Sequence, residues 1–192
     1  MSVALTHGIR YELGGLEFLL DNVRATQGMS AISPLHVDAL VLRGARPADI
    51  RKLRDVHRNL RDGRDLNVWR RTLFRLRGDR LVVIAEEDEV VAGFNMFYFR
   101  ADERAQGVVH EAFSGVVETH RGHGIATAMR RYAAACFASQ GVNSISSQVR
   151  ADNPASLRSA LNAGFEVVDH KALGCEPETG LLVLRMDLRQ AK

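Results

Sequence analysis

Apolar positions along this chain change their period several times, and the changes mark out its elements. Leu16, Leu19, Leu20 and Val23 recur at helical spacing and predict an amphipathic helix near the N-terminus. Gly28 and the stretch 30–34 break that pattern. Residues 1–36 therefore read as an N-terminal helical extension and 37–192 as the main domain. Residues 39–45 (ALVLRGA) are strand-like, and Pro47 suits the first position of a helix. Ile50, Leu53, His57 and Leu60 mark the buried face of that helix, Gly63 its end, and a second helix is expected around 68–76.

Three strand-like segments follow. Residues 80–86 and 89–99 flank a tight acidic turn and read as a hairpin, and residues 107–117 run on into a glycine-containing loop. Behind the loop, Ile125, Met129, Tyr132, Ala133 and Cys136 repeat on one helix face, which Gly141 closes. A strand is expected at 144–149. Asn153 then serves as N-cap and Pro154 as first residue of a last helix, with Leu157, Ala160 and Leu161 inward and Gly164 at its left-handed end. Phe165 opens another strand, and residues 181–188 form the final one. Hairpins mixed with strand–helix alternation predict a mixed sheet in an α+β fold.

The loop reads HRGHGIA, residues 120–126. Gly122 and Gly124 remove Cβ atoms where a backbone must turn or approach something closely. The helix that follows aims its unpaired N–H groups and positive dipole end at the same point. Such a construction serves either as an ordinary tight turn or as an anion cradle, with Arg121 available for charge-assisted contacts.

Composition narrows the class without choosing between these readings. Apolar residues make up 46% and charged residues 26%, the balance of a soluble globular protein, and no apolar run is long enough to span a membrane. The N-terminus lacks the basic start and apolar core of a signal peptide, which leads us to expect a cytoplasmic protein. Cys136 and Cys175 are too few for a disulfide framework and match no metal spacing. The net charge is +3, yet residues 51–80 carry eleven basic side chains against four acidic ones. That segment is either a solvated helical face or a basic wall facing an acidic acceptor. Its few aromatics and the lack of a nucleic-acid motif exclude nucleic acid as a partner.

Two stretches in one order, SGVVETHRGHGIA (114–126) and NPASLRSALNAGF (153–165), resemble the GNAT-type N-acetyltransferases. Arg121, Gly124 and Ala126 fit that family's loop pattern, and the second stretch fits its asparagine-led helix ending in Gly-Phe. The element order over 39–188 agrees with the family, with residues 1–36 outside it. The resemblance implies an α/β/α sandwich around a mixed, mostly antiparallel sheet of about six to seven strands, two of them splayed around coenzyme A. It implies acetyl-CoA as cosubstrate and no metal. The N–H groups of Gly122, His123, Gly124, Ile125 and Ala126 would receive the coenzyme's pyrophosphate, with Arg121 beside them. The strand end at Val116 and Val117 would pair with the pantetheine arm, and one of its N–H groups would polarise the thioester carbonyl. Asn153 would lie beside the same arm, although it is also a sufficient N-cap.

Direct transfer to an amine needs a base for the ammonium proton and is helped by an acid for the thiolate. Glu111, inside an apolar strand, is the expected base, against the alternative of a structural ion pair; His110 and His120 are possible relays through water. Many relatives carry a tyrosine where this chain has Ala160. Ser156 matches the Asn-x-x-Ser of the ribosomal-protein branch, in which the serine is proposed to contact the sulfur. Such a serine can equally bond its own helix turn. The expected acceptor is an amine-bearing small molecule or peptide, acidic if the basic wall faces it. A non-catalytic acyl-CoA-binding module is the alternative. The N-terminal stripe must bury against something, either over the cleft as a lid or on a second copy in a homodimer.

Overall fold

The computed structural model describes residues 2–168 and 180–189, with side chains from residue 13 onward. Eight strands form one sheet: β1 (Leu35–Val37), β2 (Leu40–Gly44), β3 (Val82–Glu87), β4 (Val90–Tyr98), β5 (Val108–Val116), β6 (Ser144–Arg150), β7 (Glu166–Val167) and β8 (Leu181–Asp187). Their spatial order is β1-β2-β3-β4-β5-β6-β8-β7. Every neighbouring pair is antiparallel except β5 and β6. The mixed, mostly antiparallel sheet is thus as expected, with one more strand than the pattern predicts. The extra one, β1, is a short exposed edge strand whose three residues carry no burial alternation. Cys175 lies outside the described residues. None of the described helices is long and apolar enough to cross a membrane.

The helices are α1 (Ser2–Ala25), α2 (Ile50–Leu60), α3 (Val68–Leu81), the single turn α4 (Ala101–Arg104), α5 (Ile125–Ser139) and α6 (Pro154–Ala163). The helix at Pro47 begins as a 3-10 turn, Pro47–Asp49, before α2. Buried Arg43 on β2 clamps that turn, donating to Asp49 at 2.7 Å and to Glu86 on β3 at 2.8 Å. Burial opposes ionisation of Asp49, but the Arg43 guanidinium outweighs it and holds the carboxyl below its ordinary range. The α2 helix is thereby fixed to the sheet at its first turn, while His57 near its other end lies over β5.

Alternation along the strands sorts the two layers. Phe97 meets Phe137 of α5 with ring centroids 5.0 Å apart, whereas Phe94 meets Phe113 at 5.1 Å and Phe113 meets His57 of α2 at 4.8 Å. One face of the sheet therefore carries α5 and α6, and the other carries α1, α2 and α3. The β4–β5 register pairs Met96 with Phe113 but Phe97 with Glu111, leaving Ala112 as a bulge residue. The bulge puts His110 and Phe113 on the same face and Glu111 on the opposite one.

The N-terminal helix is oriented by polar groups rather than by the expected stripe. Fully buried Asn22 grips the peptide of Phe99: its Oδ1 accepts from the Phe99 N–H at 2.6 Å, and its Nδ2 donates to the Phe99 carbonyl at 3.1 Å. Phe18 packs edge-on against Tyr98 with centroids 5.2 Å apart. Gly15 admits the Trp69 indole of α3, since a Cβ there would stand 2.0 Å from its nitrogen. Leu19 joins the core as expected, but Leu16 and Leu20 face outward, each 43% exposed. Satisfying the Phe99 peptide sets the rotation of α1 and turns those two leucines away. Leu161 of α6, also expected inward, is 45% exposed.

Removing the Asn22 amide orphans a buried N–H and a buried carbonyl together. Asn22→Ala should therefore lose about 2–3 kcal/mol in denaturant unfolding monitored by circular dichroism. A loss below roughly 0.5 kcal/mol, the range of surface substitutions, would show that α1 is not part of the cooperative unit.

Candidate active site

The parallel pairing of β5 with β6 ends at the rung Glu111–Ser147. Beyond it β5 runs on to Val116 and β6 to Arg150 without pairing, so the sheet opens between them. The N–H of Val117 donates to Ala92 at 2.9 Å. By antiparallel alternation, the peptide groups of Ser114 and Val116 turn away from β4 and into the opening. Val116 and Val117, expected to serve together, differ here. Val117 has no free rung, because its N–H serves Ala92 and its carbonyl accepts from the His120 N–H at 3.0 Å. Val116 keeps its N–H, and its carbonyl receives Arg121 Nε at 3.4 Å.

The opening leads directly to the glycine loop. Gly122 and Gly124 adopt φ of +85° and +76°, a region in which side chains are strained, and a Cβ at either would meet nothing within 4 Å. The α5 helix starts at Gly124 with no side-chain cap. The N–H groups of Gly122, His123, Gly124, Ile125 and Ala126 find no acceptor among the described residues. Unstoppered donors at a 15-residue helix N-terminus, beside open space, suit an anion of phosphate type. Ile125 contributes only its N–H, since its side chain is buried, while Arg121 and His123 are exposed. His120 is an anchor: Nε2 donates to Glu87 at 2.9 Å, and Nδ1 accepts from Thr119 Oγ1 at 2.8 Å.

Glu111 occupies the last paired rung and faces α5. Its carboxylate accepts from Arg130 Nε at 2.9 Å and Nη2 at 3.0 Å, from Asn95 Nδ2 at 3.2 Å and from Ser147 Oγ at 2.8 Å. Four donors fill the in-plane lone pairs of its two oxygens, and both side chains of the ion pair are 2% exposed. In this structure Glu111 is therefore an ion-paired carboxylate with both oxygens hydrogen-bonded. Arg130 continues into α6, donating from Nη1 to the Ser156 carbonyl at 3.4 Å and to the Ser159 hydroxyl.

In α6, Asn153 acts as N-cap, accepting from the Ser156 N–H at 3.1 Å, and remains exposed. The Ser156 hydroxyl makes no hydrogen bond within the described residues; Ser159 is the serine that bonds back along the helix, to the Ser156 carbonyl at 2.9 Å. Ala160 is fully buried, so the surroundings of the missing tyrosine are core packing.

The opposite face of β5 holds groups that hydrophobic periodicity assigns to the core. His110 is buried beside Tyr98, with ring centroids 5.3 Å apart. Its Nδ1 lies 2.9 Å from Ser146 Oγ, which donates its own proton to Glu103 at 2.8 Å. The serine must therefore accept from His110, so Nδ1 carries the proton and Nε2 the free lone pair. Burial, with the charges of Arg100 and Arg70, pushes His110 down to about 4. His57 is similarly lowered, by burial first, and its Nδ1 binds the Arg64 carbonyl at 3.0 Å. Arg61 stands over Phe113 at 5.8 Å and Arg70 over Tyr98 at 5.3 Å. A histidine spaced to fill a helix face, as His57 is, gives no sign in sequence of a polar neighbourhood.

The profile of the acetyltransferase (GNAT) family matches residues 50–165 of the chain. No curated protein matches it significantly in sequence. In structure it is similar to yncA of Salmonella typhimurium, solved with its cofactor acetyl-CoA, at TM-score 0.66 and 19% identity over 80% of this chain and 96% of that one. It is also similar to the ribosomal-protein-alanine N-acetyltransferase of Brucella melitensis, at TM-score 0.60 and 19% identity over 76% and 98% of the two chains. A third likeness is to the diaminobutyrate acetyltransferase EctA of Paenibacillus lautus, solved with L-2,4-diaminobutyric acid and coenzyme A, at TM-score 0.57 and 23% identity over 78% and 95%. The loop at the α5 N-terminus and the asparagine-capped α6 both fall within the matched span, and the chain belongs to the GNAT family of acetyltransferases.

Proposed function

We propose that this protein, acting in the cytoplasm, moves an acetyl group from acetyl-CoA directly to a primary amine of a small molecule or peptide. One observation carries the reading: the anion cradle of Gly122–Ala126 and the peptide groups of Ser114 and Val116 that face away from β4, with the Val116 N–H unpaired, form one continuous path into the opening between β5 and β6. A pyrophosphate at the cradle lets an amide-bearing arm run along those peptide groups to the far side of the sheet. Acetyl-CoA supplies the acetyl group as a thioester, whose carbonyl the Val116 or Ser114 N–H is placed to polarise. Asn153 stands beside the arm with its Nδ2 free.

On the far side, His110 Nε2 takes one proton of the arriving ammonium, which frees the nitrogen lone pair to bond to the carbonyl carbon. As the carbon–sulfur bond breaks, the second nitrogen proton passes to the departing sulfur and coenzyme A leaves as the thiol. Ser146 and Glu103 hold the imidazole in the required tautomer. Ser156, whose hydroxyl is uncommitted, is placed to donate toward the departing thiolate. Arg130 ties its helix turn to Glu111, so Glu111 acts here as a positioning residue.

Thiol release from acetyl-CoA across amino acids, aminosugars, polyamines and peptide N-termini tests the reading. Coenzyme binding without release from any amine would favour the acyl-CoA-binding module. Gly124→Val should weaken coenzyme A binding at least tenfold in calorimetry at fixed salt, about the effect of losing one charge-assisted contact. Undiminished affinity would remove the cradle from the site. His110→Gln should lower kcat about 100-fold with coenzyme affinity retained. Its buried neutrality is checked separately. The native pKa of about 4 lies below the ordinary 6.5. The unfolded chain alone takes up that proton as pH falls, so this contribution to stability is intact above pH 6.5 and lost toward pH 4. The melting temperature of His110→Gln should fall less steeply than that of the wild type across this window. Parallel curves would contradict a buried neutral imidazole.

A further inference from the structure

Many of the described arginines are ion-paired: Arg24, Arg43, Arg54, Arg80, Arg100, Arg104, Arg130, Arg150, Arg185 and Arg189 sit within salt-bridge distance of a carboxylate, whereas others, mostly on the exposed helix faces, do not. Arg61 and Arg70 are among these others, although both flank the face of β5 that an acceptor amine must reach. No carboxylate among the described residues meets either. Each guanidinium instead lies over an aromatic ring, Arg61 over Phe113 and Arg70 over Tyr98. Arg70 also reaches the Tyr98 hydroxyl at 3.5 Å. A cation–ring contact keeps a guanidinium near the aromatic face while leaving donors available for a carboxylate, four of the five on Arg70 and all five on Arg61.

Position strengthens the case. Phe113 belongs to the stretch of β5 beyond the last β6 rung, at the mouth of the opening, and Tyr98 pairs in register with His110. The two cation–ring pairs therefore stand side by side along β5, around His57 and His110. Both arginines lie near enough to His57 for their charges to disfavour its protonation, and Arg70 does the same to His110. Arg61 and Arg70 add positive charge beside the two histidines, against Asp65 near His57 and Asp102 and Glu103 near His110, and half-buried Arg70 has given up part of its hydration without gaining an ion partner.

We infer that Arg61 and Arg70 form the anion subsite of the acceptor, so that the preferred substrate is an amine that also carries a carboxylate. This rests on the acetyltransferase reading above and specifies its acceptor. The carboxylate bridges the two guanidinium groups, and the amine at the other end is delivered to His110 Nε2 and the opening. A bound carboxylate also offsets the charge of Arg70, which ranks after burial and Arg100 among the causes that keep His110 neutral.

The test uses ω-amino acids from glycine to 6-aminohexanoate, each paired with its amide, titrated calorimetrically into the full-length protein saturated with coenzyme A. At least one acid should bind about tenfold or more tightly than its amide, at a chain length that reports the amine-to-carboxylate span. Arg61→Gln and Arg70→Gln should each reduce that preference, and the double variant should abolish it. Arg58→Gln, on the exposed side of α2, should retain it. Equal affinities within every pair, including no measurable binding of any acid, would overturn the subsite. So would a preference that survives the double variant. Failure of the protein to bind coenzyme A at all would instead strike the acetyltransferase reading, which keeps the two failures distinct.

Discussion

Glu111 and Arg130 meet inside the protein at the last rung that β5 and β6 share, and most of the site geometry follows from that contact. Two charges that are each 2% exposed can be held only by near-complete hydrogen bonding, because desolvation disfavours both ions. Asn95 from β4, Ser147 from β6 and Arg130 from α5 supply the donors to the carboxylate. The remaining arm of the guanidinium reaches α6. Three strands and two helices are thereby fixed around one point, and the opening of the sheet begins there. Any shift of α5 would carry the glycine loop with it, since the loop is the N-terminus of that helix.

The two faces of β5 divide the work. On the α5 side the chemistry is that of holding: a compensated ion pair below, and a cradle of unpaired N–H groups above. On the α2 and α3 side it is that of exchange, with an imidazole whose tautomer is set by Ser146 and Glu103 and cations that lack acidic partners. The bulge at Ala112 makes this division possible. Without the extra residue, strict alternation would send Phe113 to the side of Glu111 and leave His110 without its neighbour on the acceptor face.

Much of this was legible in the chain. Period and turn residues placed the hairpin of β3 and β4, the helices α2, α5 and α6, and the loop between β5 and α5, because each has a local cause. Longer-range polar contacts were not legible. Leu16 and Leu20 read as an inward stripe, yet the Asn22–Phe99 contact sets the rotation of α1, and no local pattern announces a partner that distant in sequence. Glu111 in an apolar strand was readable as a base or as half of an ion pair, since its partner Arg130 looks in sequence like one more charged residue on a helix. Val117 looked equivalent to Val116 until the strand register showed which peptide faces the opening.

The most direct measurement is a thermodynamic cycle on the central ion pair. Wild type, Glu111→Gln, Arg130→Met and the double variant are unfolded in denaturant under identical conditions. If the pair is the constraint described, each single substitution strands a buried charge or its donors and loses about 3–5 kcal/mol, while the double variant loses far less than the sum. Single losses that are small and simply add would contradict it, and would show that the opening of the sheet is held by something else.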